Sequence, residues 1–519
     1  MASRRDELNA YTFAKKRTVA AFLQPSPSGT EEGAPRPLRA IVPGLIVGAL
    51  VLAGFGAWGM FSPKAPKGWD KPGTKVIVGK QSTTRYVVLT TGKGKDKKTL
   101  LHPVLNLASA RLLLTPQEFS VIQVDDKLLD AGKPPRGPIL GIPYAPDRLP
   151  NATEAGAAKR WAVCEQPGGG AGASVQKATF VFAQRDFKRT EGSGQLKDGQ
   201  IMYVKGQKDS ARYLVDHQGT KYLMPGGPAE SAGLTTALVG LNKEPQQVTD
   251  DWLATLHTGS PIEFPQIPGK VGDPAGIGGG NLSQTEDRVG MVLLAQTGSG
   301  PQHYVVLPGK VQPVSEFTAW LLINSPQTDA LDMDGKATAV DAASFTPDSA
   351  TFGAQYRWPT RKSEQINATT GASARDTVCS VLNQVDDKGR TTLTTWAGTK
   401  YPAEITAGGT STYVTPGSGL LYTQIQGNQT KPDGSLFLVT DTGLRYAVQA
   451  NGDSDAGRSE IGTGDQDNKQ TDGRPEPSEA QTRLGYEKVT PLLVPITWSE
   501  FLSKGPRLDT NSARQPQGS

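Results

Sequence analysis

The sequence predicts an α+β chain, mostly β, with a single N-terminal transmembrane helix and then a central β domain flanked by four hairpin-plus-helix repeats. Three observations predict it. Residues 41–61 read IVPGLIVGALVLAGFGAWGMF, a run without a charge. Gly and Pro supply 60 and 39 of the 519 residues, which breaks the rest into short strands and turns rather than long helices. A pattern of apolar strand, glycine-containing turn and second strand recurs along the chain.

The apolar run organises everything else. As a helix rising about 1.5 Å per residue it spans roughly 30 Å, the thickness of a bilayer's hydrocarbon core. Trp58 and Phe61 fall where an aromatic ring meets lipid and water together. A buried core helix is the competing reading, but the chain's mean hydropathy of -0.40 leaves no second run of comparable length and apolarity. Residues 1–40 precede it, too many for a cleaved signal peptide, so it reads as an uncleaved signal-anchor. Basic residues lie on both sides: Arg4, Arg5, Lys15, Lys16, Arg17, Arg36 and Arg39 before it, Lys64, Lys67, Lys71 and Lys75 behind it. Local charge therefore does not fix orientation, and long domains translocate largely regardless of it. Cys164 and Cys379 suit either one disulfide in an oxidising compartment or two separate buried thiols. Behind an anchor they favour a cytoplasmic N-terminus and a large extracytoplasmic C-terminal domain.

Taken in order, residues 1–40 form a cytoplasmic basic tail and linker, with Tyr11, Ala14, Thr18 and Phe22 at helical spacing on an amphipathic stretch. The first repeat covers 62–135, the second 200–268, the third 286–330 and the fourth 412–509. Their hairpins read RYVVLTTGKGKDKKTLLHPVL at 85–105, RYLVDHQGTKYLM at 212–224, MVLLAQTGSGPQHYVVL at 291–307 and LFLVTDTGLRYAV at 436–448. Residues 216–219 and 440–443 carry tight-turn chemistry between β-type runs. Helix starts follow. Thr115-Pro-Gln-Glu118 and Thr497-Trp-Ser-Glu500 match the capping box, and Thr249 and Ser315 fill the same place without the Glu. Between the repeats, 155–199 and 345–411 each hold one Val-Cys pair and read as two halves of a central β domain. Residues 451–479 are a polar insertion in the fourth repeat, and 510–519 a disordered tail.

Little in the chain points to chemistry. The balance of 55 basic against 50 acidic residues, without a basic stripe interleaved with aromatics, gives no support to nucleic-acid binding. His102, His217, His257 and His303 are scattered singly, without HExxH or Cys-x-x-Cys spacing, so no metal site is expected. His217 falls inside a turn and reads as an exposed loop residue. Residues 92–99, GKGKDKKT, come nearest to a phosphate loop, but Lys97 stands where the glycine before Lys-Thr must be. A basic turn at a hairpin tip is the reading. Asp125 and Asp126 are adjacent rather than opposed, as on a helix surface. No catalytic constellation and no cofactor site is expected.

Several stretches together resemble the EccB family, core membrane components of the type VII (ESX) secretion system of actinobacteria and relatives. They are RRDELNAYTFAKKRTVAAFL at 4–23, the Pro-rich linker with its Arg36-Pro-Leu-Arg39 lead-in to one anchor, and LHPVLNLASARLLL at 101–114. One cysteine in each central segment, the recurring hairpins and the ending FLSKGPRLD at 501–509 complete the resemblance, which covers nearly the whole chain. It implies a single-pass protein whose elongated, mostly β C-terminal domain lies outside the cytoplasmic membrane, its repeats like the cell-wall-binding units of phage lysins. It implies a disulfide between Cys164 and Cys379. As partners it implies an EccC-like FtsK/SpoIIIE ATPase, EccD, EccE where present, a mycosin protease and secreted WXG100 proteins, with a homodimer inside a larger oligomer. The expected function is that of a structural and assembly subunit. A membrane-tethered wall-binding protein is the alternative, and an extracytoplasmic ATP hydrolase a third reading. The resemblance supplies no counterpart for the insertion at 451–479.

Overall fold

The computed structural model describes residues 3–23, 38–61, 65–92, 94–168, 174–227, 231–371, 374–405, 411–427, 434–449, 461 and 478–517. It is a mixed, β-rich chain that divides into two compact units. One comprises Met1–Trp69, Gly79–Thr83 and Gln123–Lys133; the other comprises Asp70–Val78, Thr84–Ile122 and Pro134–Ser519.

The first unit holds two long helices, Arg4–Leu23 and Leu38–Phe61. The expected amphipathic stretch is helical but not two-faced. Lys15 sits one turn from both Tyr11 and Val19, so a cation interrupts the apolar stripe, and no side chain of the helix is buried. Asp125 and Asp126 also depart from a plain helix surface. Asp125 caps the short helix Asp126–Leu129 through the N–H of Lys127. The Asp126 carboxylate accepts from the backbone N–H of Gln81 at 2.7 Å and the hydroxyl of Ser82 at 2.5 Å, closing the turn 79–83.

The described residues form five sheets. Four of them share one strand order. In the first, Lys75–Gly79, Arg85–Thr91 and Lys98–Val104 form a meander, with Ser120–Val124 beside the first strand. The second repeats this with Gln200–Gly206, Arg212–Val215, Thr220–Met224 and then Gln246–Val248, and the third with Val292–Thr297, Gly300–Leu307, Lys310–Val314 and then Thr338–Val340. The fourth uses Leu420–Ile425, Leu436–Val439, Leu444–Ala447 and then Leu492–Pro495. In each sheet a parallel contact then returns to the third strand: Arg136 on Leu101, His257–Thr258 on Thr220–Lys221, Pro347 on Val311, and Ser503–Lys504 on Leu444–Arg445.

Each of these four sheets thus runs through three strands, a helix, an outer strand, a helical turn and a return contact. The hairpin at 291–307 is strands one and two of its meander, whereas the other three hairpins are strands two and three. A three-strand meander offers either match, which is why sequence comparison slipped by one strand. The capping boxes fail where they looked complete. Thr115 precedes only a three-residue 3-10 turn and makes no side-chain cap; its Glu118 pairs with Lys71 at 2.7 Å. The helix at Ile496–Ser499 starts two residues earlier than expected, so Pro495 is its N-cap and Thr497 lies inside. Thr249 and Ser315, lacking the Glu, do cap their helices through the N–H groups of Trp252 and Thr318.

The central sheet has the order Thr391–Gly398, Thr377–Val385, Arg160–Gln166, Gln176–Phe182, Thr412–Val414. Its strands come from both stretches expected to form a central β domain, but not all of 345–411 joins it. Phe345 packs in the core of the third sheet, Trp358 packs beside the second, and Glu364–Gln365 pairs with Gln200–Ile201. Both faces are covered, so RWAVCEQ at 160–166 is apolar on both sides. Trp161 and Val163 face one core, Ala162 and Cys164 another.

The first and fourth sheets close a single core, in which Val87, Val104 and Leu112 meet Leu421, Tyr446 and Leu508. The end of the chain differs from the disordered tail expected. Asp509 caps a helix at Thr510–Ala513, Ala513 is fully buried, and Gln517 donates its backbone N–H to the carbonyl of Ile139 at 2.8 Å. Small residues there (Thr510, Asn511, Ala513) fit against Leu107–Leu113, which a polar composition conceals. Of the insertion at 451–479, all but Ile461, Ser478 and Glu479 lies outside the described residues.

Candidate functional site

The helix Leu38–Phe61 is long and apolar enough to cross a membrane. Its segment Ile41–Trp58 has a mean hydropathy of 2.1, and none of it is buried. Leu45, Leu52, Phe55 and Trp58 are each two-thirds exposed or more, a cost in water that a bilayer removes. Pro43 lies in the second turn, where it lacks one backbone donor.

In the other unit the structure brings Cys164 and Cys379 together. They are directly opposed on antiparallel strands, their Cα atoms 4.0 Å apart and their sulfurs bonded. Both are fully buried among Phe180, Phe182 and Trp396. The bond joins residues 215 apart in sequence and so staples the two halves of the central sheet.

Next to it stands a polar contact that the sequence did not announce. Glu165 is fully buried, and its carboxylate accepts from the N–H of Thr249 at 2.8 Å and the hydroxyl of Thr249 at 2.5 Å. Thr249 in turn caps the helix Asp250–Ala254, whose Trp252 donates its indole N–H to the carbonyl of Val163 at 3.0 Å. Burial raises the Glu165 pKa against the opposing pull of Thr249. Across the same sheet, burial pushes Tyr401 up to about 12.

Two cations, half-buried Lys221 and buried Arg445, occupy matching places in the second and fourth sheets. Lys221 donates to the carbonyl of Leu253 at 2.7 Å, over the ring of Tyr213. Arg445 donates to the hydroxyl of Ser499 at 2.5 Å, over the ring of Phe437. Each reaches the end of its short helix, where a cation meets the carbonyl pole. Arg212 lies at the floor of a groove of about 830 Å³ rimmed by Leu241 and Lys243. It is 7 % exposed and held by Tyr203, Thr235, Ser231 and the carbonyl of Gly226.

The histidines stay apart. His102 is buried with Nδ1 3.0 Å from the carbonyl of Pro138, His257 Nε2 lies 2.7 Å from the hydroxyl of Thr391, and burial lowers the pKa of both. His217 is half-buried rather than exposed, in a turn whose Asp216 accepts from the N–H groups of Gln218 and Thr220. Gly219, with φ 73°, completes that turn; a Cβ there would sit 2.7 Å from Leu393. Among the described residues no group of three or more His, Cys, Asp or Glu is placed to hold a metal. Residues 94–98 form the tip between Arg85–Thr91 and Lys98–Val104, as a basic turn requires.

The sequence pattern of one family, described as type VII secretion system ESX-1, transport TM domain B (EccB), matches residues 1–518. The chain is similar to the ESX-1 secretion system ATPase EccB1 of Mycolicibacterium smegmatis, 29% identical over 288 residues, which are 54% of this chain and 53% of that protein. It therefore spans about half the length of that relative. It is 27% identical over 375 residues to the ESX-2 secretion system ATPase EccB2 of Mycobacterium tuberculosis, covering 67% of this chain and 69% of that one. Against the ESX-3 secretion system ATPase EccB3 of the same species it is 26% identical over 476 residues, 86% of this chain and 80% of that one. Among solved structures, a chain of an intact ESX-5 inner membrane complex superposes with a TM-score of 0.57 at 20% identity, covering 100% of this chain and 96% of that one. An EccB3 dimer from the ESX-3 core complex gives 0.53 at 23%, covering 84% and 99%. One apolar helix, a β-rich remainder of this fold and a family match running almost end to end agree, and the chain belongs to the EccB family.

Proposed function

We propose that this chain is a structural and assembly subunit of a type VII secretion membrane complex, acting outside the cytoplasmic membrane for export of WXG100-type substrates. The observation that carries the reading is the family match over residues 1–518, which runs through the anchor as well as the sheets. The N-terminus is cytoplasmic and the sheets are extracytoplasmic; the buried Cys164–Cys379 bond supports that orientation, because disulfides persist in oxidising compartments. The four small sheets are copies of one repeat, supported by their common strand order. The solved EccB3 dimer supports a homodimer within a larger oligomer. The other partners are an EccC-like FtsK/SpoIIIE ATPase, EccD, EccE where present and a mycosin. The test is purification of the tagged full chain from its own membranes in mild detergent. A large particle containing such an ATPase, lost on deletion of residues 1–61, is expected. A chain that runs alone while retaining wall material overturns the reading in favour of a tether.

The names of the relatives favour a second reading, ATP hydrolysis by this chain itself. Phosphate release from magnesium ATP by the purified full chain, compared with the heat-unfolded chain, decides it. Equal release removes that reading.

A further inference from the structure

We propose that the groove over Arg212 binds a carboxylate carried on an apolar body, the anion lying against the buried guanidinium. The groove lies within residues 203–245, inside one compact unit. A guanidinium has five N–H donors and no acceptor. In Arg212 the two on Nη1 go to the hydroxyls of Tyr203 at 3.4 Å and Thr235 at 3.2 Å. The two on Nη2 go to the carbonyl of Gly226 at 3.0 Å and the hydroxyl of Ser231. Among the described residues the fifth donor, on Nε, has no partner, and no carboxylate pairs with the group. All four acceptors are neutral, so a full positive charge is held 7 % exposed without a counter-ion, which is costly.

The place of Arg212 adds to the imbalance. Ser231 is the N-cap of the helix Ala232–Val239, which has no acidic residue in its first turn, so the positive pole of a helix lies beside the cation. Lys221 and Arg445, by contrast, meet carbonyl poles. The wall of the groove does not supply the missing charge. Lys205 and Lys243 are matched in number by Asp209 and Glu244, which leaves Arg212 as the single net charge of the lining. Asp209 is moreover engaged by the N–H of Ala211 at 2.9 Å. One net positive charge fits a carboxylate, whereas a phosphomonoester dianion exceeds it. Met224, Pro225 and Leu241, the last 73 % exposed at the rim, offer cover to a hydrocarbon body. A volume of about 830 Å³ lies in the usual range of ligand pockets, roughly 300–1,000 Å³, and exceeds what a bare ion needs. The end of a peptide chain and a small branched acid both present this chemistry.

The test titrates the full chain, in mild detergent, with acetyl-Ala-Leu as the free acid, its C-terminal amide, isovalerate and inorganic phosphate, read by calorimetry. The free acid is expected to bind about tenfold or more tightly than the amide, the margin of a charge-assisted hydrogen bond. R212M removes that preference. Because Arg212 also braces Gly226 and Ser231, K243E is the second variant, at an exposed position where no hydrogen bond or ion pair is lost. It is expected to weaken the acid about threefold or more at low salt and to leave the amide as it was. Isovalerate binding as tightly as the dipeptide acid assigns the groove to a small acid, and weaker isovalerate assigns it to a peptide end; both uphold the carboxylate. Equal binding of acid and amide overturns the proposal, as does acid binding that K243E leaves unchanged. Phosphate binding more tightly than either acid overturns the single-charge ligand, and no binding by any probe overturns the site.

Discussion

Replacing both Cys164 and Cys379 by alanine opens a covalent loop of 215 residues without removing a strand. In the chain-entropy treatment, closing a loop of that size costs the unfolded chain about 18 cal/mol/K, or ~5 kcal/mol at room temperature. The folded sheet keeps its register, because Val378, Ser380, Val381 and Leu382 still pair with Glu165, Val163, Ala162 and Trp161. Native contacts are therefore nearly conserved, and the effect sits in the unfolded state. With a guanidinium slope of ~4–6 kcal/mol per molar, the midpoint of the central sheet falls by about 1 M. Tryptophan fluorescence reads it, since Trp161 is fully buried on one face and Trp396 lines the other beside the bond. Reductant added to the parent chain at intermediate guanidinium produces the same fall. An unchanged midpoint in both cases refutes the staple, and means that the two halves are held by packing alone.

Three further outcomes follow from buried polar contacts. Burial raises the Glu165 pKa from its ordinary 4.5, so above that value the folded chain holds a proton that the unfolded chain has released; stability falls as pH rises through the window up to the folded pKa. E165Q flattens that part of a denaturation-versus-pH curve, and an unaltered slope rejects the assignment. T249A removes both a helix cap and the donor to Glu165 and costs ~2–4 kcal/mol by denaturant titration, whereas T497A, whose hydroxyl caps nothing, costs under about 0.5 kcal/mol. Equal costs contradict the observed caps. Arg445 is 4 % exposed and its Nε lacks a partner, so R445M leaves stability unchanged or raises it by ~1–4 kcal/mol, while R445A loses the packing on Phe437 and costs ~2–4 kcal/mol. A methionine as damaging as alanine in a thermal melt shows that the charge itself is needed.

Local chemistry was legible and non-local assembly was not. The anchor needs only a run of uncharged residues, and the turn at Asp216–Gly219 announces itself by an Asp that bonds forward and a Gly at positive φ. The outer strands at Gln246–Val248 and Thr338–Val340 are three residues long, too short for any alternation to stand out. Glu165 reads as one polar residue in a strand until Thr249, 84 positions later, folds against it. The pairing of the two cysteines came from resemblance, because two thiols fix no geometry by themselves. Thr115 failed as a cap although its motif was complete, since Pro116 and Glu118 serve a 3-10 turn and an ion pair instead.

The shared core of the first and fourth sheets dictates an order of events during synthesis. Val87, Val104 and Leu112 emerge early, but the residues that cover them include Leu421, Tyr446 and Leu508. Roughly 310–420 residues separate these partners, which at ~5–20 residues per second leaves the apolar face of the first sheet uncovered for about 15–85 s. A chain stopped before Leu421 has no means of burying that face, so premature termination yields a sticky product rather than a shorter working one. Gln517, which donates its N–H to the carbonyl of Ile139, joins the residues beside the first sheet later still.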